Sequence, residues 1–202
     1  MNLEQKVVEW RHHIHQHPEL STKEFETAEF VANKLEEFGL EVHRNIGGTG
    51  VVGILKNGTS ARSMGLRADM DALHIHEQNT FNHTSKNDGV MHACGHDGHT
   101  AMLLGAAHVL ANNKRFDGTV HFIFQPDEER ATGAKAMIAD GLFTRWKMDA
   151  IYGMHNIPGV PAGQFITRPN SLMASESSFK IVINATGGHA ALPHMGTDPI
   201  VV

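Results

Sequence analysis

The sequence predicts an α/β fold: a mixed, mainly parallel sheet flanked by helices, followed by the start of a smaller α+β unit. Two observations carry this. Stretches with helical apolar spacing alternate along the chain with short apolar runs of strand length. The 202 residues are 41% hydrophobic and 19% charged, the composition of an ordinary globular chain with a buried sheet.

Leu3, Val7, Trp10 and Ile14 fall on one face of a helix over 3–17 that Pro18 ends. Ser21 with Glu24 reads as a capping box for a second helix, whose apolar face is Phe25, Ala28, Ala32, Leu35 and Phe38 and which Gly39 closes. "GVVGIL" (50–55) and "SMGLRAD" (63–69) flank the turn signal Asn57-Gly58 and predict a hairpin. "TAMLLGAAHVL" (100–110) predicts a buried helix, "TVHFIF" (119–124) a strand, "TGAKAMIADGLF" (132–143) a helix and "DAIYGMH" (149–155) a strand. Beyond 157 the chain becomes rich in Pro and Gly, and "SSFKIVINAT" (177–186) alternates like a strand. A boundary near 175 is expected, with a catalytic domain over 1–175 and a second, incomplete one over 176–202.

Composition narrows the function. A net charge of -5 without a basic stripe argues against a nucleic-acid partner. No apolar run approaches the roughly 18 residues that cross a bilayer. The N-terminus lacks the order of a secretory signal, so the cytoplasm is the expected compartment. One cysteine permits no internal disulfide, whereas sixteen histidines direct attention to metal.

Polar groups gather where the apolar strands end: Asp69 and Asp71 after "GLRAD", Asp127, Glu128 and Glu129 after "FIFQP", His155 after "IYGM". Ligands of open α/β sheets sit outside the carboxyl ends of the strands. Carboxylates converging there repel unless a cation neutralises them, and carboxylate, imidazole and thiolate together suit zinc or a related ion, as a pair where ligands are this many. The loop "HACGHDGH" (92–99) can enter the same crevice. Three roles are open to Cys94: a small buried hydrophobe, a nucleophile with His92 or His96 as base, and a metal ligand sharing an ion with His96. Glu128 and Glu129, leaving a strand in succession, are expected to point apart, one binding metal and the other acting as general base.

"HPELSTKEFET", "GLRADMDAL", "MHACGHDGHTAMLLGAA", "FIFQPDEE", "GMHN" and "GGHAALPH" occur in an order and spacing that resemble the metal-dependent amidohydrolases, which include hippurate hydrolase, bacterial N-acyl-amino-acid deacylases and plant auxin-conjugate hydrolases. The resemblance covers essentially the whole chain. It implies a two-metal catalytic domain with an inserted lid, acting on the amide bond of N-acyl amino acids such as hippurate, or on N-acetyl-diaminopimelate or another N-acetyl amino acid. Cys94, His96, Glu129 and His155 are the implied ligands of two divalent ions (Zn²⁺, Mn²⁺, Co²⁺ or Ni²⁺), with Cys94 bridging. Glu128 is the implied general base, and Asp69 the acidic residue that orients a ligand. His189 matches a lid histidine that reaches the substrate of a neighbouring subunit, in a homodimer or homotetramer built through the lid. Family members run to nearly twice this length, so a final histidine ligand is expected beyond residue 202, and weak metal binding from this stretch alone. A non-catalytic metal-binding module and a cysteine-nucleophile hydrolase are the competing classes. His12, His13, His15 and His17 imitate a metal site, but the resemblance gives them no ligand role, and surface or supporting duty is expected.

Overall fold

The computed structural model describes residues 2–175, 177 and 179–201. Its internal contacts divide the chain into two units, Met1–Pro158 and Gly159–Val202.

In the first unit α1 (Leu3–Gln16) opens on a capping box in which the side chains of Asn2 and Gln5 each accept the other's main-chain amide. It is followed by α2 (Phe25–Glu37), β1 (Glu41–Ile46), β2 (Gly50–Asn57), β3 (Ser63–Asp69), α3 (His96–Asn113), β4 (Gly118–Gln125), α4 (Gly133–Ala139), α5 (Leu142–Arg145) and β5 (Ala150–Gly153). The single helix expected over 132–143 is two, because the chain turns at Asp140 and Gly141.

The five strands form one sheet in the order β1-β2-β4-β3-β5. β1 and β2 are antiparallel, as are β2 and β4, whereas β3 runs parallel to both β4 and β5. The expected hairpin of β2 with β3 is therefore absent: β4 lies between them and pairs with each. Asn57-Gly58 does turn the chain, but residues 58–62 pass over the start of β4. There Asp117 accepts the amides of Thr59 and Ser60 at 2.8 Å and fixes the crossing. The true hairpin joins β1 and β2.

Alternation along the strands sorts their side chains onto two faces. Val51, Leu55, Val120, Phe122 and Phe124 meet α1, α2 and α3 in the larger core, with Leu35 and Leu104 fully buried among them. Val52 and Ile123 meet Met137 of α4 and Leu142 of α5 on the other face. Burying each large side chain, Phe122 or Phe124 for instance, stabilises the fold by about 1.5–3 kcal/mol.

The topology positions the site. The connection from β3 to β4 runs through α3 on one face, and that from β4 to β5 through α4 and α5 on the other. Neighbouring parallel strands whose connections leave to opposite faces open a crevice at their carboxyl ends. Asp69 pairs with Gln125 in the register, so β3 and β4 end level.

In the second unit the only regular element among the described residues is a 3₁₀ turn at Pro193–Met195. In the stretch 177–186, expected as a strand, the described residues 177 and 179–186 form no strand, although the Thr186 carbonyl accepts the Thr197 amide at 2.9 Å. Alternation alone does not make a strand without a ladder of hydrogen bonds. No helix among the described residues is long and apolar enough to cross a membrane.

Candidate metal centre

Three strand ends and one helix start meet at the crevice. Asp69, the last residue of β3, and Asp71, two residues on, are both buried. The first turn of α3 supplies His96, introduced by Gly95 at φ +89°, a left-handed conformation that glycine adopts freely. A side chain at Gly95 would also collide with Asn156.

His96 is fully buried and its two nitrogens face different surroundings. Nδ1 lies 2.8 Å from the Asp71 carbonyl oxygen and 3.3 Å from Asp71 Oδ1, so it carries the proton and donates. Nε2 is left as a lone pair without a hydrogen-bond partner among the described residues. It faces Asp69 Oδ2 at 3.7 Å, Glu128 Oε2 at 3.8 Å and Glu129 Oε1 at 3.7 Å. Glu129 Oε1 is likewise buried and unpartnered among the described residues, and buried Asp71 Oδ1 makes no hydrogen bond among them, having only the 3.3 Å ion-pair approach of His96 Nδ1. On the loop after β5, His155 donates Nδ1–H to the Asn156 carbonyl at 2.7 Å and turns Nε2 to within 3.5 Å of Cys94 Sγ.

Ligand atoms of Cys94, His96 and Glu129 lie within 4.8 Å of one another, as do those of Asp69, His96, His99 and His155. His99 belongs to the second group by distance only, since both its nitrogens are engaged. Nδ1 donates to Asp69 Oδ1 at 2.6 Å and Nε2 accepts the Asn156 amide at 3.1 Å. It ties β3 to the loop that carries His155.

The donor set fits a divalent cation. Buried acceptors without donors cost free energy unless something positive sits among them. Burial and the charges of Glu129, Glu128 and Asp69 push the Cys94 thiol up to about 12. A thiolate forms there only beside a cation, which coordination supplies. Burial, reinforced by Asp69 and Glu129, also raises Glu128, which suits a group that takes up and releases a proton. Burial opposes the charge of Asp69, but the bond from His99 and the Arg67 guanidinium outweigh it and hold the carboxyl well below the usual range.

Of the expected site residues, the first unit brings together Asp69, Cys94, His96, Glu128, Glu129 and His155. His189 lies in the second unit, exposed, with Nδ1 accepting the Ala191 amide at 3.0 Å. Glu128 and Glu129 do not point apart. They lie in a turn after Asp127, whose φ is +52°, and both reach toward His96 Nε2; they differ in burial, at 38% and 21% side-chain exposure. Asp71, given no orienting role in the sequence, grips His96. Its signal was present, because residues two apart at a strand end share a face. Of the N-terminal histidines only His15 reaches inward, with Nδ1 2.9 Å from Asp97 Oδ2 and Nε2 3.0 Å from Glu77 Oε1. His12 stacks on His83.

Residues 65–200 match the model of "Peptidase family M20/M25/M40". The chain is 48% identical over 200 residues to hippurate hydrolase of Campylobacter jejuni, covering 99% of this chain and 52% of that enzyme. It is 42% identical over 200 residues to N-acetyl-L-cysteine deacetylase of Bacillus subtilis, covering 98% and 48%. Among solved structures it resembles the Bacillus subtilis YXEP protein, described as a dinuclear metal binding peptidase, with a TM-score of 0.75 and 41% identity over 79% of this chain and 44% of that one. The sheet, its flanking helices and the crevice are those of a metallohydrolase catalytic domain, and the chain belongs to peptidase family M20/M25/M40. It spans about half the length of the curated relatives it matches.

Proposed function

We propose that this chain carries most of the active site of a metal-dependent amidohydrolase that cleaves N-acyl amino acids, with hippurate as the representative substrate. The observation that carries the reading is His96 Nε2, a buried lone pair facing three carboxylates. Cys94, His96, Glu129 and His155 would hold two divalent ions, and a segment outside this stretch would complete their shell. When bound, such ions polarise the acyl carbonyl and make water a nucleophile near neutral pH. Glu128 accepts the proton of the attacking water and returns it to the leaving amine. Asp71 holds the His96 ring, and Asp69, through His99 and Asn156, holds the loop of His155. The segment from 176 onward would begin a lid, and its His189 would reach the substrate of a neighbouring subunit.

The close approach of Cys94 to His155 also resembles a nucleophile with its base. Burial, reinforced by the carboxylates around the thiol, opposes that reading by disfavouring the thiolate. The experiment is hydrolysis of hippurate and N-acetyl amino acids by the chain carried to the length of its relatives. Loss on chelation, recovery with Zn²⁺, Mn²⁺ or Co²⁺, and inactivity of Glu128→Gln with its metal retained support the proposal. Activity that survives chelation and is lost on thiol alkylation refutes it.

A further inference from the structure

The segment "HPELSTKE" (17–24) ends in a carboxylate sealed from solvent: Glu24 is 0% exposed. At the N-terminus of α2 such a residue would ordinarily face water or cap the helix. Glu24 does neither, and the capping box expected of Ser21 and Glu24 does not form. Helix α2 is capped instead by Glu19, whose oxygens accept the amides of Glu26 and Thr27 at 3.1 and 2.8 Å.

Glu24 and Ser21 instead bond to the segment that carries Glu128 and Glu129, Glu24 directly and Ser21 through Asp71. Glu24 Oε1 accepts the Thr22 amide at 3.0 Å and the Asp127 amide at 2.8 Å, and Oε2 accepts the Thr49 hydroxyl at 2.5 Å. Asp127 stands 103 residues along the chain, immediately before Glu128 and Glu129, in the left-handed conformation that non-glycine residues seldom adopt. Ser21 Oγ donates to Asp71 Oδ2 at 2.7 Å, and the same oxygen accepts the Glu129 amide at 3.0 Å. The turn is held at both ends, by Glu24 directly and by Ser21 through Asp71.

We propose that Glu24 is a positioning residue: it clamps the Asp127 amide, fixes the left-handed turn, and so sets where Glu128 and Glu129 meet His96. That this turn is catalytic rests on the function proposed above; the clamp itself does not. What the clamp requires is acceptors, not charge. A glutamine can keep its oxygen on the two amides and donate its NH₂ to Thr49 Oγ1. Alanine leaves three donors without a partner.

Hydrogen exchange read by mass spectrometry on the metal-free chain tests the clamp without any activity. In Glu24→Ala, exchange over residues 123–133 should quicken by roughly tenfold or more while α3 keeps its protection. Glu24→Gln should restore the wild-type pattern. Thr49→Val, which removes a single donor, should fall between them, and it carries the test with Glu24→Gln if the alanine variant fails to fold. Unchanged exchange over 123–133, loss spread equally over α3, or failure of glutamine to restore would each overturn the clamp. In the chain carried to the length of its relatives, Glu24→Ala should lower kcat by roughly 10- to 100-fold with KM little changed, and glutamine should restore it. A local exchange defect in Glu24→Ala beside a wild type that hydrolyses no N-acyl amino acid would uphold the clamp and refute the catalytic reading.

Discussion

Asp71 grips His96 twice: its carbonyl oxygen accepts from Nδ1 at 2.8 Å, and its Oδ1 lies 3.3 Å from the same nitrogen. The double contact fixes the ring and its tautomer and delivers Nε2 to the crevice as a lone pair. Partners of this kind typically affect metal affinity by about 10- to 100-fold. Asp71→Ala should therefore weaken Co²⁺ binding by about that factor in a competition titration. Unaltered affinity would show that the backbone carbonyl alone orients the ring.

His99 joins Asp69 to Asn156 and thereby sets the loop of His155. His99→Leu should leave buried Asp69 with one partner fewer and cost about 1–3 kcal/mol in urea unfolding. Metal affinity should fall with it. A stability loss with affinity intact would make His99 a packing residue only.

How much of this could be read from the residues differs by length scale. The carboxyl ends of β3, β4 and β5 could be placed together because apolar runs with polar ends imply a parallel sheet, and the sheet places those ends at one edge. The pairing of β2 with β4 could not, because the two are separated by about sixty residues and Asn57-Gly58 offers a plausible local partner. Glu24 was misread for the same reason. Spacing to Ser21 suggests a cap, while its actual partners, Thr49 and Asp127, are remote in sequence. Asp69 and Asp71 look alike in sequence; only the position of the His96 ring separates their tasks.

The buried pair of His15 and Asp97 gives a pH signature. The hydrogen bond to Asp97, helped by Glu77, raises His15 despite its burial, so folding favours the protonated ring. Asp97, opposed by burial but bonded to His15, is held down to about 2. The folded state then binds more protons than the unfolded one between the ordinary histidine value of 6.5 and the raised one. The contribution of His15 is full below 6.5 and is lost as pH rises through the raised value. That of Asp97 is present above the ordinary carboxylate value and is lost as pH falls toward about 2. Thermal unfolding of wild type and His15→Gln should differ most at pH 5–6 and converge as pH rises through the raised value; a gap that widens with pH would reverse the sign.

Gly133 packs against the carbonyl of Pro126, where a Cβ would overlap backbone. Gly133→Ala should push the chain before Glu128, lower stability by about 1–3 kcal/mol and weaken Co²⁺ binding together. Thermal melts and cobalt titration of the same sample check the coupling, and full metal affinity in a destabilised variant would contradict it.

The most direct test uses the chain's only cysteine, Cys94. A thiolate bound to Co²⁺ gives a ligand-to-metal charge-transfer band in the near ultraviolet, and in this chain that band can arise from one residue alone. The centre described here predicts that the band appears on adding Co²⁺ to the wild type, persists in Glu128→Gln and vanishes in Cys94→Ser. Absence of the band in a wild type that binds Co²⁺ would remove Cys94 from the metal shell and contradict the account.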